Sequence, residues 1–437
     1  MSQQGFGNVS AVLENRSFLY LWLAQALSQT ALNALLYVLL IRVQEETGSS
    51  TAVGVLILSF IVPSVVMGVV AGVFVDRAQK KAVLLIANLL RALIVAAFLV
   101  TANSFWLVLL LNLAFSVVSQ FFAPAELAAI PAVVSKPLLL VANGLFNLTL
   151  NGAQLMGFVI LGPLLVKGLS GTAVFGVISA IYGVCVVLIW MMQLEEPEVH
   201  RDGVDLRASW ISAMVTELRE GWRLLVHDNS VSLSIMHLTL VNSLILVIGM
   251  LAPGYVNRVL GIRPDDAVFV LAPAALGMLA GIFLLPRFSR RWTKQVLANA
   301  GIFSIAFVLF LLGGVGQMGQ RVVATGFLSH IGPLALPEKA SLVTVVMLLA
   351  LVLGVGYAFV NISAQTLVQE RVPLDLRGRV FAAQLAFANA AAVLPLIFWG
   401  GLADLIGINQ VTYLAAVVVL AAGLLSSYQT RRLQTSL

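Results

Sequence analysis

Long apolar runs broken by short polar segments dominate the chain. Twelve of them reach the roughly 20 mostly apolar residues that an α-helix needs to cross a bilayer. They cover residues 18–41, 51–75, 82–103, 105–123, 139–166, 171–194, 231–256, 267–286, 295–315, 341–365, 380–403 and 409–427. The pattern predicts an all-α integral membrane protein, and an even number of spans puts both termini on one side. The longest polar interruption, 195–229, separates the sixth span from the seventh. It opens with Glu195, Glu196, Glu198, Arg201 and Asp202 and continues as Trp210 to Leu225, with apolar positions at helical spacing. This stretch is predicted to be an amphipathic helix lying along the membrane face. It joins two six-helix bundles, 1–194 and 230–437. A second interruption, 316–340, holds Gly326, Gly332, Pro333 and Pro337 and is expected to be irregular.

Charge gives the orientation. Of the 25 Lys and Arg residues, Arg42, Lys167, Arg258, Arg263, Arg321 and Lys339 fall on the side away from the termini and Arg91 lies inside the third span. The other eighteen share the side of the termini, which the positive-inside rule makes cytoplasmic. The first 16 residues are polar and lack an apolar core with a cleavage site, so no cleaved signal peptide is expected. The chain is 60% hydrophobic and 10% charged, with mean hydropathy +1.01. A soluble domain carries about 25% charge. The net charge of +6 resides in loops at span ends and does not point to nucleic acid. One cysteine, Cys185, excludes an internal disulfide and a cysteine-cluster metal site. No Walker sequence, metal cluster or nucleophile constellation is present, so neither an enzyme nor a cofactor is expected.

The charged stretch Gly72-Val-Phe-Val-Asp76-Arg77-Ala-Gln-Lys80-Lys81 follows the second span. Gly72 and Asp76 share a helix face, and a glycine there lets another helix come close. After the eighth span, Gly281-Ile-Phe-Leu-Leu-Pro286-Arg287-Phe-Ser-Arg290-Arg291 keeps the glycine and the basic cluster without the acid. Further motifs follow the fourth and tenth spans and lead into the fifth and eleventh. This repetition supports a 6+6 architecture. The stretch 72–81 resembles the loop 2–3 signature of the major facilitator superfamily. Phe122-Ala-Pro124-Ala-Glu126, Ala142-Asn143-Gly144-Leu145 and Gln369-Glu370-Arg-Val-Pro373-Leu-Asp-Leu-Arg377-Gly378-Arg379-Val380 resemble the branch that contains macrolide-efflux proteins and the enterobactin exporter, of the drug:proton antiporter type.

The resemblance implies two pseudo-symmetric bundles working by alternating access, with a cytoplasmic gate. Carried over, Gly72 would pack the second helix on the eleventh, and Asp76 would meet the positive N-terminal end of the eleventh. Arg77, Lys80 and Lys81 would pair with acids or lipid phosphates; Arg377 and Arg379 would stand on the gate's other side. Replacing Asp76 by Ala is expected to lower flux several-fold without unfolding the chain.

Polar groups inside spans are costly in lipid and tend to face the bundle or a cavity. Gln25, Gln29 and Asn33 form one face of the first span, and Asn143, Asn147, Asn151 and Gln154 a stripe on the fifth. Asn112, Asn242, Asn361, Gln365, Gln384 and Asn389 complete the candidate cavity lining, and interhelical hydrogen bonding is the plainer role for any of them. Arg91 lies some 15 Å deep, at ~1.5 Å per residue. It should find an acid or a carbonyl, and Glu126 is a candidate partner. Gly157 and Gly162-Pro163 mark a kink and packing site in the fifth span. No carboxylate lies at the middle of a span, so Arg91, Glu126, His237 and Asp404 are the candidate charge relay. An interior rich in amides and poor in charge suits a small amphipathic substrate or a lipid, with protons as the coupling ion and the chain acting as a monomer. The rivals are a lysophospholipid flippase and a siderophore or metabolite exporter.

Overall fold

A computed structural model describes residues 11–101, 104–169, 171–194, 229–324, 338–372 and 377–435. Among these, every regular element is helical. The first half contains α1 (Arg16–Thr47), α2 (Ser50–Arg77), α3 (Lys80–Thr101), α4 (Phe105–Val133), α5 and α6 (Ala173–Met191). α5 has three parts, Leu139–Leu155, a π-helical turn Met156–Leu161, and Gly162–Gly168. The second half contains α7 (Asn229–Arg258), α8 (Ala267–Phe288), α9 (Lys294–Ala324), α10 (Glu338–Arg371), α11 (Arg377–Ile406) and α12 (Ile408–Thr435). Among the described residues, twelve helices are long and apolar enough to cross a membrane, one for each predicted run.

The helices outrun the apolar segments that predict them. α1 continues through Gln44, Glu45 and Glu46 because its backbone hydrogen bonds do not stop at the hydrocarbon edge. It ends at Gly48, whose φ of +59° is a left-handed conformation that glycine adopts without strain. Part of the stretch 316–340, expected to be irregular, is helical instead. α9 runs to Ala324 and α10 starts at Glu338, because long side chains such as Gln317, Gln320 and Arg321 are good helix formers. Residues 325–337 and the predicted amphipathic linker helix, 195–228, lie outside the described residues.

The chain forms two compact units, Met1–Val43 with Leu56–Asp205, and Gln44–Val55 with Leu206–Leu437. In the first, α3 packs on α4 and α6. Its core joins Phe18 and Leu21 of α1, Leu84 of α3, Phe122 and Ala125 of α4, Phe146 of α5 and Ile189 of α6. In the second, α10 packs on α8 and α9, and α9 on α12. Small residues set these distances. A Cβ on Gly277 of α8 would strike the Leu351 carbonyl, and one on Gly354 of α10 would strike the Ala274 carbonyl. A Cβ on Gly301 of α9 would stand 2.6 Å from the Gly356 carbonyl. Where lipid tails are as apolar as leucine, such close backbone approach is what holds helices together. The large side chains Trp106, Phe283, Leu394 and Leu405 point outward instead, at 76–83% exposure, as a lipid-facing surface requires.

Candidate functional site

In the first unit, the α1 amides run along α5. Gln25 is buried, and its Nε2 donates to the Phe146 carbonyl at 3.5 Å while its Oε1 has no partner. Trp22 Nε1 donates to Thr149 Oγ1 at 2.7 Å and ties the same two helices. Half-buried Asn33 turns back to the Gln29 carbonyl at 2.8 Å. Its Cβ would lie 2.7 Å from a Cβ added to Gly157, so α5 touches α1 there. A Cβ on Gly162 would meet the Tyr37 ring at 2.7 Å.

Gly157 lies in the π-helical turn Met156–Leu161 and Gly162 follows it directly. Pro163 has no N–H to give to the turn before it, and a wider turn on its N-terminal side accommodates that loss. The kink site read from Gly157 and Gly162-Pro163 is thus a π-turn pressed against the middle of α1. On the α5 stripe, Asn143 and Gln154 are exposed, and the side chains of Asn147 and Asn151 lie outside the described residues.

Asn112 of α4 is buried and bonds α2, donating to Ser59 Oγ at 2.8 Å and to the Leu56 carbonyl at 3.3 Å. One turn on, Phe115, Ser119, Phe122 and Glu126 share a face of α4 that is turned toward Arg91 of α3. Arg91 is 1% exposed. Its Nε donates to Ser119 Oγ at 3.1 Å and its Nη2 to the Ser119 carbonyl at 3.3 Å. The guanidinium carbon lies 4.4 Å from the centre of the Phe122 ring and 5.9 Å from those of Phe115 and Tyr182. Glu126, also buried, interacts with it electrostatically. Arg91 Nη1 and Glu126 Oε1 are buried without a hydrogen-bond partner. The sequence points to Arg91 and Glu126 but not to Ser119 and Phe122. The spacing of 119, 122 and 126 places them on one helix face, and only the register between α3 and α4 turns that face to Arg91.

In the second unit, His237 of α7 reaches Ser426 Oγ of α12 at 2.7 Å. Ser426 donates its hydroxyl proton to Asn299 Oδ1 of α9 at 2.5 Å, so His237 Nε2 must be the donor to Ser426. Asn299 Nδ2 continues the chain to Thr430 Oγ1 at 3.4 Å. Asn242 is half-buried, with its Nδ2 unpartnered. Gln365 donates to Asn361 Oδ1 at 3.3 Å, and Gln384 and Asn389 are half-buried. In the same unit, a small apolar recess of about 60 Å³ is lined by residues such as Leu244, Leu251, Val270 and Leu309. Its two hydroxyls are engaged by backbone carbonyls, Tyr255 with Leu312 at 2.7 Å and Thr412 with Ile408 at 2.8 Å. Asp404, near the C-terminal end of α11, accepts hydrogen bonds from the first turn of α2. Arg91 and Glu126 thus meet in one cluster of the first unit, and His237 and Asp404 occupy two separate places in the second.

At the charged signature, Lys81 donates to the Met192 carbonyl at 2.6 Å, Lys80 is partly buried and Arg77 is exposed. No described atom lies within 4 Å of where a Cβ on Gly72 would stand. The side chains of Asp76, Arg377 and Arg379 lie outside the described residues.

Comparison with known proteins gives a consistent picture. The family model described as Major Facilitator Superfamily matches residues 21–332. Macrolide efflux protein A of Streptococcus pyogenes is 23% identical over 409 residues, covering 92% of this chain and 93% of the relative. The uncharacterized MFS-type transporter YfiS of Bacillus subtilis is 23% identical, covering 90% of this chain and 88% of that one. The multidrug efflux pump Tap of Mycolicibacterium fortuitum is 24% identical, covering 89% and 90%. Among solved structures, the nucleoside transporter NupG superposes with a TM-score of 0.69 at 14% identity, over 95% of this chain and 99% of that one, which is a likeness of fold.

Proposed function

The chain belongs to the major facilitator superfamily of membrane transporters, and from that premise we propose that it exports hydrophobic or amphipathic small molecules by alternating access, coupled to the proton gradient across a prokaryotic inner membrane. The observation that carries this reading is the match to macrolide efflux protein A along nine-tenths of both chains. The interior chemistry supports it. Most polar groups buried on the described span faces are uncharged hydroxyls and amides, and the recess in the second unit offers no free hydroxyl. A phosphate or dicarboxylate would call for several cationic side chains in the cavity, and Arg91 is engaged within its own bundle by Ser119 and aromatic rings. Of the candidate proton carriers, Glu126 is a buried carboxylate with an unpartnered oxygen, whereas the oxygens of Asp404 are taken up by α2 donors.

The test is accumulation of a labelled macrolide or a cationic dye in inside-out vesicles under an imposed pH gradient. Accumulation that collapses with the gradient is expected. If no drug accumulates while labelled lysophospholipid crosses the membrane, the protein is a lipid flippase and the export reading falls.

A further inference from the structure

The turn between α1 and α2 is held by a carboxylate from far along the chain. Gly48 closes α1, its N–H donating to the Gln44 carbonyl at 2.9 Å. Ser49 then caps α2, accepting at Oγ from the Ala52 N–H at 3.2 Å. The N–H groups of the first α2 turn have no helical partners, and Asp404 of α11 takes two of them. Its Oδ1 accepts from the Ser50 N–H at 2.9 Å and its Oδ2 from the Thr51 N–H at 2.9 Å. The same Oδ2 accepts from the hydroxyls of Ser49 at 2.6 Å and Thr51 at 2.7 Å. Arg258, the last residue of α7, has Nη2 3.5 Å from Asp404 Oδ1 and also donates to the Gly48 carbonyl. Each charge stands at the helix end whose dipole favours it, the carboxylate at the N-terminus of α2 and the guanidinium at the C-terminal ends of α1 and α7. The arrangement lies wholly within the second unit, because Gln44–Val55 belongs to it, while the stretches on either side, through Val43 and from Leu56, belong to the first.

We infer that Asp404 is a latch of the transport cycle, clasping the α1–α2 turn on the face opposite the termini and releasing it once per cycle. The inference rests on the alternating-access reading above. A carboxylate that only stabilised its own helix would sit at that helix's N-terminus, whereas Asp404 lies two residues from the C-terminal end of α11 and caps another helix. Its place mirrors that of Asp76, one residue from the end of α2, which the family resemblance assigns to the N-terminal end of α11. The two helices would then carry reciprocal latches, one on each face, made in alternate states.

The test needs no cargo, so its failure is distinct from failure of the export reading. Val53 is fully buried beneath the turn, and the native Cys185 is fully buried too. In the full-length protein in lipid nanodiscs, a Val53→Cys reporter is modified by an impermeant maleimide as the turn lifts. Asp404→Asn keeps one acceptor oxygen for the first α2 turn, turns the other into a donor and removes the charge. It should speed modification at least about fivefold, as a shift between two states does, at unchanged thermal stability. Adding Asp76→Ala should bring the rate back toward that of the parent. An unchanged rate in Asp404→Asn overturns the latch. So does a fast rate that ignores Asp76→Ala, since local fraying of α2 would behave that way.

Discussion

Arg91 shows what a charge needs in order to sit deep in a bundle. Its fork is divided between one serine and the face of Phe122, and the buried Glu126 carboxyl acts on it electrostatically. If Glu126 is its counter-charge, removing one member leaves the other charge buried alone, at a cost on the order of 3–5 kcal/mol. Arg91→Met should therefore lower the thermal midpoint in detergent by several degrees, and Arg91→Met with Glu126→Gln should recover most of the loss. A double variant no more stable than the single one would show that Glu126 is not the counter-charge. Glu126→Gln alone leaves Arg91 without that carboxylate, so its transport is measured per folded molecule. It should retain counterflow exchange of a labelled macrolide and lose accumulation driven by the pH gradient. Gradient-driven accumulation at the parent level would remove Glu126 from the proton path. The sequence made Arg91 and Glu126 legible because charges in apolar runs stand out. It did not make Ser119 legible, since a serine in a span has many equally good uses and only the neighbouring helix selects one.

Spans are easy to read because the hydrocarbon thickness fixes their length. What the pattern leaves open is how they pack, since glycine scores alike in a hydropathy profile whether it faces a helix or open space. Gly157, Gly277 and Gly354 stand where an added Cβ would strike another helix, while a Cβ added to Gly183 or Gly249 would meet nothing within 4 Å. Overpacking of this kind costs about 1–3 kcal/mol per site. Gly354→Val should separate α10 from α8, and Gly157→Val should push α5 and its π-turn off α1. Each should give a lower thermal midpoint than the parent, whereas Gly183→Ala and Gly249→Ala should be neutral or slightly stabilising. Equal midpoints for the crowded and open sites would mean that these close approaches do not set the helix spacing. Gly157→Val carries a second expectation. If the π-turn helps α1 move, transport by this variant should fall further than its stability loss explains, measured as initial efflux rate per folded molecule.

At the scale of the molecule, orientation is decided by a sum over loops rather than by any one contact. Twelve spans put the termini on one face, together with eighteen of the 25 basic residues, and the α1–α2 turn with Asp404 on the other. On the positive-inside rule we propose that the face of the termini is cytoplasmic, and the direction of export and the side of the Asp404 latch both depend on that assignment. Single cysteines test it on a quiet background, because Cys185 is buried with its thiol against the Ala24 carbonyl at 3.5 Å. Ala173 is exposed at the start of α6, on the α1–α2 face, and Ser289 is exposed at the end of α8, on the opposite face. In intact cells, an impermeant maleimide should label Ala173→Cys and spare Ser289→Cys until the membrane is permeabilised. The reverse pattern would invert the chain, placing the Asp404 latch on the cytoplasmic face and turning the proposed exporter into an importer. Labelling of both sites in intact cells would mean that this count of spans is wrong between α6 and α8.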